Sequence, residues 1–186
     1  MSGTGEEMTG WIATLKRGDL AARHEAEEAL RKEGEGVVGP LIRAIQEDAN
    51  ADLRWYAARV LARIGSPAIQ HLIHALKTEK DQQVRRYLAA SLGEMGEVAV
   101  RPLVGLLSDP EPGIRGFAAL ALCRVGRPAI QPLSDALDDT DETVRSCAAL
   151  ILWQMGEDGV DALGKAAFNP GDGDPKQAGH DETGTH

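Results

Sequence analysis

Arginine recurs at Arg23, Arg54, Arg85, Arg115 and Arg145, and glycine at Gly34, Gly65, Gly96, Gly126 and Gly156. Both columns step by 31, 31, 30 and 30 residues. Two residue types that share one period, including its shortening, mark a chain built of repeats. A period of about 30 residues has room for two short helices and their turns. So small a pair cannot bury its own apolar face, and neighbouring pairs must stack into a solenoid.

Side-chain spacing inside each period agrees. From Arg54 the chain reads RWYAARVLARIG, and Ala57, Ala58, Leu61 and Ile64 share one helical face. The closing glycine suits a helix C-cap, where a left-handed residue is needed. A second helical run follows, as in Ile69, Leu72, Ile73 and Leu76, or Val100, Leu103, Val104 and Leu107. Pro40, Pro102 and Pro132 are placed in the first turn of that run, where a missing N–H costs little. Polar pairs then lead to the next arginine: Asp48 and Asn50, Glu79 and Asp81, Asp109 and Glu111, Asp139 and Asp141. The second member of each pair is positioned to cap the coming helix.

The spacing predicts an all-α, right-handed solenoid of five helix pairs plus one terminal helix. Helix A is expected near 9–17, 37–47, 67–77, 99–107 and 129–137. Helix B, which begins at the arginine, is expected near 21–33, 53–64, 84–95, 114–125 and 144–155, and the last helix near 158–168. Residues 1–8 are expected to be a flexible N-terminus and 9–168 the solenoid. Residues 169–186 are Gly-, Asp- and Pro-rich without apolar periodicity, and are expected to be a disordered tail.

Composition narrows the partners. The 186 residues carry a net charge of −9, which disfavours a general nucleic-acid binder. Cys123 and Cys147 lie in apolar helical segments, read as small buried hydrophobes, and form no metal-ligand cluster. No apolar run approaches the roughly 20 residues needed to span a bilayer. Met1 to Thr9 is polar and acidic, unlike a signal peptide. The expectations are therefore a cytoplasmic monomer with no metal, cofactor, nucleic-acid or membrane partner.

The segments EKDQQVRRYLAASLGEMG (79–96), DPEPGIRGFAALALCRVG (109–126) and DDTDETVRSCAALILWQMG (138–156) resemble the short HEAT repeats of phycobilisome lyases and many adaptor proteins. The resemblance spans about residues 8–168. It implies that an acid six residues before each arginine pairs with an arginine to form a ladder through the turns. Asp48, Glu79, Asp109 and Asp139 hold the acid's place and Arg54, Arg85, Arg115 and Arg145 the arginine's; Arg17 stands at the acid's place in repeat one. A small-residue column, Ala62, Gly93 and Cys123, ends in Arg31 and Trp153. Trp153 is expected to plug the last core layer.

The same resemblance puts helix B on the concave wall. Helical spacing then directs the positions one, two, five and nine after the arginine into the groove. These include Trp55, Tyr56, Arg59, Arg63, Arg86, Tyr87, Phe117, Leu120 and Arg124, the expected partner-binding residues. Four of the chain's seven aromatics fall there. The column Tyr56, Tyr87 and Phe117 either forms an exposed ridge or packs between adjacent B helices. The ridge is the expectation carried forward, because aromatics and arginines that no core requires are usual in protein-binding hot spots. An acidic peptide or helix would suit it.

Three enzyme readings are weaker. RHEAEEAL (23–30) is similar to the His-Glu motif of deoxyhypusine hydroxylase. Iron there needs several such pairs, and this chain has only His24-Glu25. A HEAT-like DNA glycosylase would need a basic groove. A phycobilin lyase-like chromophore-handling subunit shares the repeat and is the main alternative to a non-catalytic interaction module.

Overall fold

The computed structural model describes residues 5–167, which form eleven α-helices and no strand. The segment expected to be a tail lies outside them. The A helices are α1 (Gly5–Arg17), α3 (Val38–Glu47), α5 (Ser66–Thr78), α7 (Glu97–Gly105) and α9 (Ile130–Asp135). The B helices are α2 (Leu20–Glu33), α4 (Ala51–Ile64), α6 (Gln82–Glu94), α8 (Pro112–Val125) and α10 (Glu142–Gln154), and α11 (Glu157–Ala167) closes the series. Helix α1 begins four residues before the expected boundary at 9. Helix α7 starts directly after Gly96, which leaves Pro102 inside it rather than in its first turn. Short 3-10 turns finish the fourth and fifth A helices, at Leu106–Ser108 and Ala136–Asp138.

Four of the five B helices start where a polar side chain covers free backbone N–H groups. Asn50 accepts from Leu53 N, Asp81 from Gln83 N and Asp141 from Thr143 N. Glu111 departs from this pattern: Pro112 opens α8, and the Glu111 carboxylate goes to Arg85 instead. The periodic glycines all adopt positive φ, from 62° at Gly34 to 76° at Gly156. A side chain there would be strained, which is why the column tolerates no other residue type easily.

Counting from the ladder arginine gives one register for all repeats. The seventh position is Leu30, Leu61, Leu92, Leu122 and Leu152, each with no exposed surface. The third is Ala26, Ala57, Leu88, Ala118 and Ala148, equally buried. These columns join the A helices' inward faces in one continuous core from Leu15 to Leu152. Helices α2, α4, α6 and α8 pack on one another more extensively than α3, α5, α7 and α9 do. The stack therefore closes toward the B helices, which line its inner wall. The α6–α8 joint is the tightest in the stack. At Gly93, the eighth position of α6, a Cβ would lie 3.0 Å from the Ala121 carbonyl and the Arg124 side chain. Cys123 holds the same position in α8, and α10 packs more loosely there. Cys123 and Cys147 are half-buried, not fully buried, and burial pushes the Cys123 thiol up.

The turn ladder differs from the acid–arginine pairing that the resemblance implied. Four of the five arginines donate to the main-chain carbonyl six residues back: Arg54 Nε to Asp48 (2.8 Å), Arg85 Nε to Glu79 (2.7 Å), Arg115 Nη1 to Asp109 (2.7 Å) and Arg145 Nη1 to Asp139 (2.8 Å); Arg23 reaches the Lys16 carbonyl, seven back. The acid's carboxylate accepts from the backbone N–H two residues on, as Asp48 Oδ1 does from Asn50 and Asp109 Oδ1 from Glu111. Its other oxygen meets the preceding A helix: Lys16 Nζ–Asp48 (2.6 Å), Gln46–Glu79 (3.2 Å) and Lys77 Nζ–Asp109 (2.7 Å). The reason is geometric. Six residues span the turn itself, so the arginine reaches the turn's own backbone and leaves the carboxylate facing the neighbouring repeat.

Candidate inner-wall binding site

Helices α4, α6 and α8 enclose a groove of about 550 Å³ on the inner wall. Trp55, Ala58 and Arg59 come from α4, and Arg86, Tyr87, Ala90 and Glu94 from α6, while Arg124 reaches in from α8. The groove forms because the fifth position of α6 is Ala90, which fills little of the space between its larger neighbours. A smaller depression of about 200 Å³ adjoins it, sharing Arg86, Ala90 and Arg124 and adding Phe117 and Leu120.

The expected aromatic ridge is not exposed. Tyr56 is only 8% and Phe117 only 7% accessible, and Tyr87 is half-buried. The column packs between adjacent B helices, and arginines of the preceding repeat cover its two tyrosine rings. The Arg23 guanidinium lies 5.0 Å from the Tyr56 centroid, and that of Arg54 lies 6.0 Å from Tyr87. Periodicity placed these rings on the correct wall. It could not tell that the next ladder arginine back would lie over Tyr56 and Tyr87.

Trp55, by contrast, is 48% exposed. Its ring meets Tyr56 edge to face at 4.8 Å and carries the Arg59 guanidinium at 4.5 Å. Arg59 also approaches Glu27 Oε2 at 3.4 Å. Arg63 lies outside the groove and pairs with Glu28, which the Arg31 and Arg63 guanidiniums hold below the ordinary carboxylate range. Arg124 pairs with Glu94, and its Nε donates to Oε1 at 3.0 Å. Of the arginines expected to meet a partner, Arg59, Arg63 and Arg124 are thus matched by carboxylates of the preceding repeat. Exposed Arg86 makes no ion pair or hydrogen bond among the described residues. It stands over both depressions as their unmatched cation.

Sequence reasoning missed Glu27. It holds the fourth position, where the other repeats have Ala58, Ala89, Ala119 and Ala149, and it is 1% exposed. Neither carboxylate oxygen makes a hydrogen bond, the Arg59 guanidinium is its cationic neighbour, and His24 Nδ1 lies 3.7 Å away. A glutamate in an alanine column was the available signal. No group of three or more His, Cys, Asp or Glu side chains among the described residues could hold a metal ion. No described helix is long and apolar enough to cross a membrane.

Comparison with protein families matches HEAT repeats in four overlapping registers, at residues 9–93, 38–115, 69–153 and 100–178. The chain belongs to the HEAT repeats family. The four registers advance by about one repeat each, as the arginine and glycine columns do. Two solved structures are similar at low overall superposition. One is the complex of CpcE and CpcF of phycocyanin lyase from Nostoc sp. PCC7120, at 27% identity and a TM-score of 0.41, covering 78% of this chain and 98% of that one. The other is a designed armadillo repeat protein, at 19% identity and a TM-score of 0.33, covering 89% of this chain and 94% of that one. A search of curated proteins gives no match.

Proposed function

We propose that this protein is a non-catalytic interaction module whose inner wall grips an extended or helical segment of a partner protein across α4, α6 and α8. The observation that carries the reading is the open groove that combines Trp55, half-buried Tyr87 and unmatched Arg86. An exposed tryptophan beside a cation without a counter-ion suits an apolar anchor side chain flanked by one carboxylate. The partner segment is therefore acidic at one point and apolar at its centre. The ion pairs Arg59–Glu27 and Arg124–Glu94 serve as the groove's walls.

Affinity capture followed by direct binding measurement tests this. The same partner should be recovered by wild type and lost by both Trp55→Ala and Arg86→Glu, with Kd raised tenfold or more in each variant. A partner retained at full affinity by both variants would overturn the site. Copurification of a linear tetrapyrrole, released by Arg86→Glu, would replace the reading with chromophore handling in the same groove.

A further inference from the structure

The inner wall changes character toward its C-terminal end. Leu120 is 61% exposed, Leu150 57% and Trp153 66%. Trp153 therefore does not plug the core, as its place in the sequence suggested. Its position explains the exposure. Trp153 is the eighth residue after its ladder arginine, in register with Gly93 and Cys123. Both of those face the following B helix: Gly93 meets Ala121 and Arg124 of α8, and Cys123 Sγ lies 3.8 Å from Gln154 Oε1 of α10. At the first joint the fifth position takes part as well, Glu28 through Arg63, whereas Ala90 lines the groove and Leu120 stays exposed. On α10 the fifth and eighth positions are Leu150 and Trp153. They form the face on which a further B helix would rest, and no described element covers it.

We infer that this face of α10 is a second docking surface, separate from the α4–α6–α8 groove, and that it receives a basic amphipathic helix of a partner protein. The helical shape follows from register at the eighth position, where Gly93 and Cys123 each meet the next B helix. The apolar side chains Leu150 and Trp153 supply the seam. The charge follows from the surroundings. Residues 135–167 carry eight carboxylates against Arg145 and Lys165, and of the eight Asp158 is paired with Arg127. Glu157 and Asp161 are exposed just beyond Trp153 in the chain. So acidic a rim attracts a helix with lysine or arginine on its polar face. It also repels a second copy of the same end, and an anionic membrane.

The probe is a synthetic helix of about 18 residues, five turns, with leucine on one face and lysine on the other. Its counterpart replaces each lysine with glutamate. Binding is read by fluorescence anisotropy of the labelled peptide. The basic helix should bind the full-length protein at least tenfold tighter than the acidic one. Trp153→Ala and, independently, Leu150→Gln should each weaken it tenfold or more, with far-UV circular dichroism unchanged. Arg86→Glu should leave this affinity unaltered, which separates the surface from the groove: loss in the Arg86 variant alone would assign binding to the groove and overturn the proposal. Equal binding of both peptides, or of wild type and Trp153→Ala, would also overturn it. So would self-association of the wild type that Trp153→Ala abolishes, since the occupant would then be a second copy.

Discussion

The joint between repeats one and two and the joint between repeats four and five use the same register and opposite chemistry. At the first, Arg59 meets Glu27, Arg63 meets Glu28, and Arg23 both pairs with Asp52 at 2.9 Å and covers Tyr56. Lys16 adds a bond to Asp48 from the A side. At the last, no ion pair among the described residues crosses between the repeats, and the polar contact is Cys123 with Gln154. Leu107 occupies the position eight before the arginine where Lys77 stands one repeat earlier, so Asp139 meets no lysine of that kind. The contrast teaches that a repeat protein can spend its inner wall in two ways. Charges matched between neighbours seal the wall, whereas apolar residues left unmatched keep it available to something else.

The sharpest way to break this contrast is Tyr56→Ala. The buried ring fills the first joint and lies against Trp55 and Arg23, so its loss should cost about 3–5 kcal/mol in urea unfolding. A cost below about 1 kcal/mol would mean that the first joint is no more sealed than the last.

Acid should act next, through the turn carboxylates that reach the preceding A helix, a contact Asp139 lacks among the described residues. Lys16 and then the Asn50 N–H hold Asp48 below the ordinary carboxylate range, and the Asp81 N–H chiefly does so for Glu79. Burial pushes Asp109 up, but Lys77 and the Glu111 N–H outweigh it and leave it lowered. Carboxylates lowered in the folded state contribute stability that is fully present above about pH 4 and lost as pH falls through their folded values. Lys77→Met leaves burial to act on Asp109 with less opposition. The acid-unfolding midpoint should therefore move to higher pH, while Lys165→Met, outside the ladder, should not move it. An unmoved midpoint in Lys77→Met would remove the ladder from the comparison.

The smallest effect is expected where the wall is open. Trp153→Ala should change unfolding free energy by no more than about 0.5 kcal/mol, because an exposed side chain leaves no cavity. A loss of several kcal/mol would return Trp153 to the core.

Much of the fold was legible in the sequence because periodicity is a geometric statement. Two columns with one period fix which residues share a face, and Leu61, Leu92 and Leu122 lie in the core where that face predicts. The groove was legible for the same reason as far as Trp55, Arg59, Arg86 and Arg124, whose spacing sets them on the inner wall. What spacing could not give is the distance between neighbouring B helices. That distance depends on side-chain volume at single positions, such as Gly93, and it decides whether Tyr56 and Phe117 are rim or core. Nor could spacing tell which acid an arginine would choose, because Glu27, Glu28 and Glu94 belong to the preceding repeat and lie about 30 residues away in the chain. Trp153 was misplaced by treating the last repeat as an end to be sealed.

The arginine's choice of its own turn has a consequence for how such a chain can grow or shrink. Because Arg54, Arg85, Arg115 and Arg145 anchor to a carbonyl six residues away, the fastening of each turn travels with the segment that encodes it. Duplicating or excising a block of about 30 residues would leave every such fastening intact and disturb only the seam where new neighbours meet. Length is then an adjustable property of the architecture. The identity of side chains at the seams, and not the anchoring of turns, limits which blocks can be spliced together.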